Sequence, residues 1–253
     1  MINDAAGAGA SPAANAINGL AKSPNGASSK PITFFFDIDN CLYPKSYKIH
    51  EIMSELIDAY FQTHLGLTRD DAYDLHQRYY KDYGLAIEGL VRHHKVDPLE
   101  YNEKVDDALP LDDIIKPNPE LRQLLLDIDR SKVRLWLFTN AYITHGQRVV
   151  KLLGVDDLFE GITYCDYSNP PLVCKPSREM YDKAMKESGA SEVSRCYFVD
   201  DSLINARGAK EYGWKAAHLV EPTVKGPESP VADHQISSLQ QLREVFPEVF
   251  SAP

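Results

Sequence analysis

The apolar run Ile32-Thr33-Phe34-Phe35-Phe36 predicts a strand covered on both faces, reaching to about Asp37. Beyond it the period changes. Ile49, Ile52, Met53, Leu56, Ile57 and Tyr60 fall at i, i+3, i+4, i+7, i+8 and i+11, one face of an α-helix. Thr68 before Arg69-Asp70-Asp71 predicts an N-cap with acidic residues in the first turn, opening a second helix that runs to about Tyr83. Gly84 interrupts it. Leu85–Lys95 and Pro98–Ala108 read as two further helices, with Pro98 at a helix start. No strand pattern occurs between Asp37 and Pro117, so this span is expected to be an all-helical block.

After Pro117 helices and strands alternate. Helices are expected over Pro119–Asp129, Tyr142–Leu153, Ser177–Ser188 and Leu203–Tyr212, the last three ending at Gly154, Gly189 and Gly213. Strands are expected over Val133–Phe138, Ile162–Tyr164, Cys196–Val199 and, as the last, Lys215–Val220. Short apolar strands alternating with helices predict an α/β fold with a parallel sheet covered on both faces. Ligands of such sheets collect at the carboxyl ends of the strands.

Composition narrows the partners. With 253 residues, 43 % hydrophobic and 25 % charged, the chain suits one large domain or a core with an inserted subdomain. A formal net charge of −10 makes DNA, RNA and anionic membranes unfavourable partners. A small phosphorylated metabolite remains open, because a divalent cation and one lysine can invert the field inside a pocket. Cys41, Cys165, Cys174 and Cys196 show neither C-x-x-C nor zinc-type spacing, and are expected as reduced thiols in or near the core. No segment approaches the roughly 18 consecutive apolar residues of a membrane span. Of the first 30 residues, 23 are Ala, Gly, Ser, Asn or Pro, a composition expected to stay disordered. That stretch lacks the apolar core of a secretory signal and any arginine, so a cytoplasmic or nuclear protein is expected; separately, a monomer or homodimer is expected.

Candidate chemistry gathers at the predicted strand ends. Asp37-Ile38-Asp39 ends the first strand; two carboxylates at i, i+2 can share a Mg²⁺ ion while the first presents a nucleophile. Asp39, returned to the same side, would protonate a leaving-group oxygen and then deprotonate water, which requires its pKa to lie above the usual carboxylate value. Thr139-Asn140 ends the second strand and, with the following helix N-terminus, offers a phosphate seat. Lys175, fixed before Pro176, would neutralise charge on the phosphoryl oxygens. Asp200-Asp201 follows another apolar strand, and two adjacent acids there repel unless a cation lies between them. Asn205, one turn into the next helix, would orient a water behind that cation.

The order carboxylate pair, Thr, Lys, carboxylate pair resembles the haloacid dehalogenase superfamily across residues 32–220, through D-I-D-N, L-F-T-N, K-P and V-D-D-S. The resemblance implies a Rossmann-like three-layer core with an all-helical cap inserted after the first strand. It divides the chain into a tail (1–30), a core (31–46 and 116–253) and a cap (47–115). It also implies a Mg²⁺-dependent aspartyl-phosphate mechanism. Asp37 would be the nucleophile, Asp39 the acid/base, and Thr139, Asn140 and Lys175 the phosphate ligands. Asp37, Asp39 (through its backbone carbonyl), Asp200 and Asp201 would surround the metal, Asp201 directly and Asp200 through water. The run from Phe35 to Tyr43, with Tyr79-Tyr80-Lys81-Asp82-Tyr83-Gly84, further resembles the fungal and plant pyrimidine 5′-nucleotidase-like phosphatases. That narrower likeness implies a nucleoside monophosphate substrate, with Asn40, Tyr43, Lys45, Tyr83 and Glu88 bordering the leaving group. Nicotinamide mononucleotide and lysophosphatidate are other substrates for relatives of this kind. A phosphomutase on the same scaffold stays open. A dehalogenase is disfavoured because it would leave Asp39 idle, and a non-catalytic regulatory module because every catalytic group is present.

Overall fold

The computed structural model describes residues 30–251; the tail expected over residues 1–30 lies almost wholly outside them. Six strands form one parallel sheet: β1 (Ile32–Phe36), β2 (Val133–Phe138), β3 (Ile162–Thr163), β4 (Cys196–Asp200), β5 (Lys215–Leu219) and β6 (His234–Ile236). Their spatial order is β3-β2-β1-β4-β5-β6. The first strand therefore lies inside the sheet, with Phe36 in register with Leu137 on one side and Val199 on the other.

The apolar strands are continuous because both sheet faces are covered. Phe34 and Phe36 point to one face and join a core that includes Leu121, Leu124, Val149 and Leu242. Phe35 points to the other, stacks on Trp214 at a centroid distance of 4.3 Å, and packs with Met180, Tyr181 and Ala206. The helices on the first face are α6 (Pro119–Leu126), α7 (Ile143–Leu153) and α10 (Leu242–Val245); α8 (Arg178–Ser188) and α9 (Leu203–Tyr212) cover the second. The result is the three-layer α/β architecture expected.

Six α-helices separate β1 from β2, and the five that precede α6 form a block: α1 (Ile49–Leu65), α2 (Arg69–Tyr83), α3 (Ala86–His93), α4 (Pro98–Lys104) and α5 (Leu111–Ile114). Their boundaries follow local chemistry. The Thr68 hydroxyl accepts the Asp71 N–H, and Gly84 ends α2 at φ 79°, a left-handed conformation that costs glycine little. The Asp97 carboxylate caps α4 with Pro98 at its first position. The block has a core of its own, with Ile57, Phe61, Ala72, Ile87 and Tyr101 packed on Tyr167, Leu172 and Cys174 from the loop after β3. Met53 and Leu56 on α1 touch both this core and the one under the sheet, so the predicted apolar stripe of α1 joins the two.

Several details depart from the sequence reading: α6 stops at Leu126 rather than near Asp129, α3 runs only from Ala86 to His93, and α5 has no counterpart in it. Helix α4 stops at Lys104 rather than near Ala108, because residues 105–108 form turns that carry the chain back to the sheet. The strand Lys215–Leu219 is not the last: β6 pairs parallel with its outer edge, Ala217 facing His234. Three residues reading His-Gln-Ile are too few for a period-2 pattern to register. Helix α8 begins at Arg178 after Ser177. All four cysteines are buried and free. No helix among the described residues is long and apolar enough to cross a membrane.

Candidate active site

The carboxyl ends of β1, β2 and β4 converge with the loop before α8. Asp37 directly follows β1, its N–H donating to the Val199 carbonyl at 3.0 Å. The chain then turns, because the Ile38 carbonyl accepts from Leu42 at 3.0 Å and from Cys41 at 3.3 Å, and Asn40 adopts φ 56°. This turn sets Asp37 and Asp39 on the same cavity.

Lys175 is the keystone. Its side chain is 1 % exposed, and its Nζ donates to Asp37 Oδ1 (2.6 Å), Asp200 Oδ2 (2.8 Å) and the Phe138 carbonyl (2.8 Å). An ammonium has three donors, and here protein acceptors take all three. Lys175 thus ties the strand ends together rather than standing free as the expected phosphate ligand. Burial alone would discharge the ammonium, but Asp200 and Asp37 outweigh it and raise the lysine above its ordinary value. The Asn140 side chain is also engaged: Nδ2 donates to the Lys175 carbonyl (2.9 Å) and Oδ1 accepts its N–H (2.7 Å). Expected on phosphate, that side chain instead clamps the lysine backbone. Thr139, buried, accepts the Ala141 N–H at 3.0 Å and lines the cavity.

Asp200 is fully buried. Its Oδ1 accepts the Ser202 N–H (2.7 Å), and its Oδ2 accepts Asn205 Nδ2 (3.1 Å) besides Lys175. Asn205 therefore orients a carboxylate directly. The Asp201 carboxylate meets the Lys45 ammonium at 2.8 Å. Ligand oxygens of Asp37, Asp200 and Asp201 lie within 4.8 Å of one another. Burial and Asp200 hold Asp37 well above the usual carboxylate range despite the ammonium beside it, and the same two causes raise Asp201 to about 6. Three carboxylates against two ammoniums leave the cluster short of positive charge. An all-oxygen donor set with that deficit fits a hard divalent cation such as Mg²⁺.

The surroundings of Asp39 oppose the raised pKa expected for it. Its Oδ1 accepts both the Tyr43 hydroxyl and His145 Nε2, each at 2.7 Å. Burial favours the protonated acid, but the His145 charge and these hydrogen bonds prevail, and Asp39 lies below its ordinary pKa. His145, buried on α7, is desolvated, yet Asp39 raises it to about 9. Both shifts favour an imidazolium beside a carboxylate. His145 is the residue the sequence reading missed, since it sits among the apolar positions of an amphipathic helix with no motif around it.

Over these groups lies a cavity of about 610 Å³ between the sheet and the helical block. Met53, Ile57, Tyr80, Tyr101 and Tyr167 give it an apolar and aromatic wall, and Asn40 and Lys45 border it as expected. Three other expected neighbours do not. Tyr43 is buried beneath Asp39. Tyr83 bonds His93 Nε2 at 2.6 Å and so joins α2 to α3, while Glu88 is buried and paired with Arg92 within α3.

Known proteins resemble this chain in sequence and in fold. The chain is 40 % identical over 226 residues to Phosphate metabolism protein 8 of Saccharomyces cerevisiae, covering 84 % of this chain and 70 % of that one. The structure of a HAD phosphatase from Thermococcus onnurineus matches with a TM-score of 0.56 at 19 % identity, over 85 % of this chain and 97 % of the other. The L-2-haloacid dehalogenase of Xanthobacter autotrophicus matches at 0.51 and 14 %, over 86 % and 98 %. At such identities these two structures speak for the fold, which a phosphatase and a dehalogenase share. The family model for haloacid dehalogenase-like hydrolases matches residues 33–213, the span that carries all four motifs, and the chain belongs to that family.

Proposed function

We propose that the chain is a Mg²⁺-dependent phosphomonoesterase for small phosphorylated metabolites, nucleoside 5′-monophosphates with a pyrimidine base foremost, working through an aspartyl-phosphate. In this reading residues 47–115 form a cap over the core. One observation carries it: Lys175 binds Asp37 through Oδ1 alone, and Oδ2 has no partner among the described residues and belongs to a side chain lining the cavity. A carboxylate oxygen held by its neighbour and free at its own tip is a nucleophile in position.

Asp37 Oδ2 attacks phosphorus and the ester oxygen departs. The proton that oxygen needs is held on the Asp39–His145 pair rather than on Asp39 alone, since the two share it across 2.7 Å. Water then attacks the phosphoryl group, the pair takes up the proton, and Asp37 returns as a carboxylate. Asp37, the Asp39 carbonyl, Asp200 and Asp201 would hold the metal, which neutralises charge on the phosphoryl oxygens. Lys175 and Asn205 fix the acids in place, and the Thr139 hydroxyl lines the phosphate side. The aromatic wall of Tyr80, Tyr101 and Tyr167 suits a planar base, which supports a nucleoside leaving group. The test is phosphate release from a panel of phosphorylated metabolites, with Mg²⁺ and with EDTA. Turnover of pyrimidine nucleotides that EDTA abolishes is expected. Sugar-phosphate isomerisation without phosphate release would replace the reading by a phosphomutase.

A further inference from the structure

Asp106 and Asp107 follow each other in the turns after α4, yet differ completely in their bonding. Asp107 accepts from Asn102 Nδ2 (3.0 Å) and from the Thr144 hydroxyl (3.3 Å). Asp106 is 4 % exposed, its Oδ2 is sealed from solvent without a partner, and neither carboxyl oxygen accepts a hydrogen bond from any described residue. Its side chain lines the cavity, beside the wall formed by Tyr101 and Tyr167. Burial raises its pKa to about 7, with the His145 charge acting the other way.

A buried carboxyl group without a donor is costly, and folded proteins rarely keep one idle. Shape alone does not require an acid here, since the cavity wall around it is apolar and aromatic. Asp106 also lies apart from the Asp37–Lys175–Asp200 network and makes no hydrogen bond to it. What the position lacks is a donor; Oδ2 is sealed, but Oδ1, equally without a partner, is not, and the cavity is where a donor to it can arrive. We propose that Asp106 is a specificity-determining residue that accepts a hydrogen bond from a hydroxyl or N–H of the leaving group. The substrate class is then a phosphate ester whose alcohol carries a further donor, as a nucleoside does in its ribose hydroxyls and base N–H. This inference rests on the phosphomonoesterase reading above and sharpens it.

The test compares kcat/KM for uridine 5′-monophosphate, its 2′-deoxy, 3′-deoxy and N3-methyl counterparts, and p-nitrophenyl phosphate, whose leaving group has no further donor. Wild-type enzyme and Asp106→Ala are measured side by side, with Asp106→Asn as a second variant and the Tm of each recorded. Loss of a hydrogen bond to a buried acid corresponds to about 10–100-fold. Asp106→Ala is expected to cost uridine 5′-monophosphate about tenfold or more beyond its cost to the nitrophenyl ester. One modified nucleotide, the one lacking the matching donor, should be poor for the wild type and lose nothing further in the variant. The Tm should not fall, because the residue makes no intramolecular hydrogen bond. Equal losses on all esters, or a lowered Tm in both variants, would make Asp106 a structural residue and overturn the inference. Turnover of the nitrophenyl ester alone overturns it as well, leaving the phosphatase reading standing. If no ester is hydrolysed, that reading falls and this one with it.

Discussion

Replacing Lys175 by methionine tests whether the site is held by charge or by packing. The substitution keeps much of the side-chain volume and removes an ammonium that bridges Asp37 and Asp200 with side chains 1 %, 9 % and 0 % exposed. Removing one partner of a buried ion pair costs roughly 3–5 kcal/mol. For a domain of this size that is a fall in Tm of about 6–20 °C. The pH dependence separates the causes. In the wild type the lysine pKa is raised, so its contribution is complete below the ordinary lysine value and unchanged between pH 5.5 and 7.5. In the variant the carboxylate pair has lost its counter-charge, and the folded state binds a proton more tightly than the unfolded chain does. Stability then grows as pH falls, by up to about 1.4 kcal/mol per unit for one proton. Thermal unfolding in EDTA should therefore show a deficit at pH 5.5 smaller than at pH 7.5 by up to about 2.7 kcal/mol. The same deficit at both values would mean that lost packing dominates, and would refute the charge argument.

Asp37→Asn should abolish hydrolysis of p-nitrophenyl phosphate with an unchanged circular dichroism spectrum, because an amide cannot attack phosphorus; retained turnover would remove Asp37 as nucleophile. Asp39→Asn should slow esters with poor leaving groups about 10²-fold more than nitrophenyl esters, and equal slowing would argue against proton transfer from this position. His145 has a folded pKa of about 9 against an ordinary 6.5, so its stabilisation is full below the lower value and lost as pH rises through the upper. His145→Gln should accordingly lower the Tm at pH 6 and have little effect on it at pH 10; an equal loss at both would contradict the ion pair. A Cβ at Gly89 would lie 2.2 Å from Tyr79 Cγ, so Gly89→Ala should cost about 1–3 kcal/mol in denaturant unfolding, and a neutral result would show that α2 and α3 can part there.

What the chain reveals unaided depends on how local the cause is. Strands β1, β2 and β4 are legible because burial on both faces makes their sequences nearly continuous in apolar residues, and their terminal acids and threonine stand out against that background. The stripe from Ile49 to Tyr60 is legible for the same reason at a different period. Strand β6 is not, since its pairing with β5 rather than its composition makes it a strand. The ionisation of Asp39 is hidden too, because its direction is set by His145, 106 positions away, and reverses what burial alone would do. Tyr43 and Asn140 stand in or beside the motifs, and Tyr83 and Glu88 in the helical segment singled out by the narrower resemblance; neither kind of placement says whether a polar group faces substrate or protein. Tyr83 and Asn140 find their partners on other elements, whereas Tyr43 and Glu88 find theirs four residues away.

The placing of β1 between β2 and β4 has a consequence for how the enzyme is made. A ribosome delivers three consecutive phenylalanines early, yet one flank of that strand is covered only when Cys196–Asp200 has been synthesised. The strand that shields this edge brings Asp200 with it. A chain cut short before Cys196 would be inert and would also show a bare, sticky margin to chaperones and to its own kind. Completion of the carboxylate cluster and concealment of this apolar strand edge are one event.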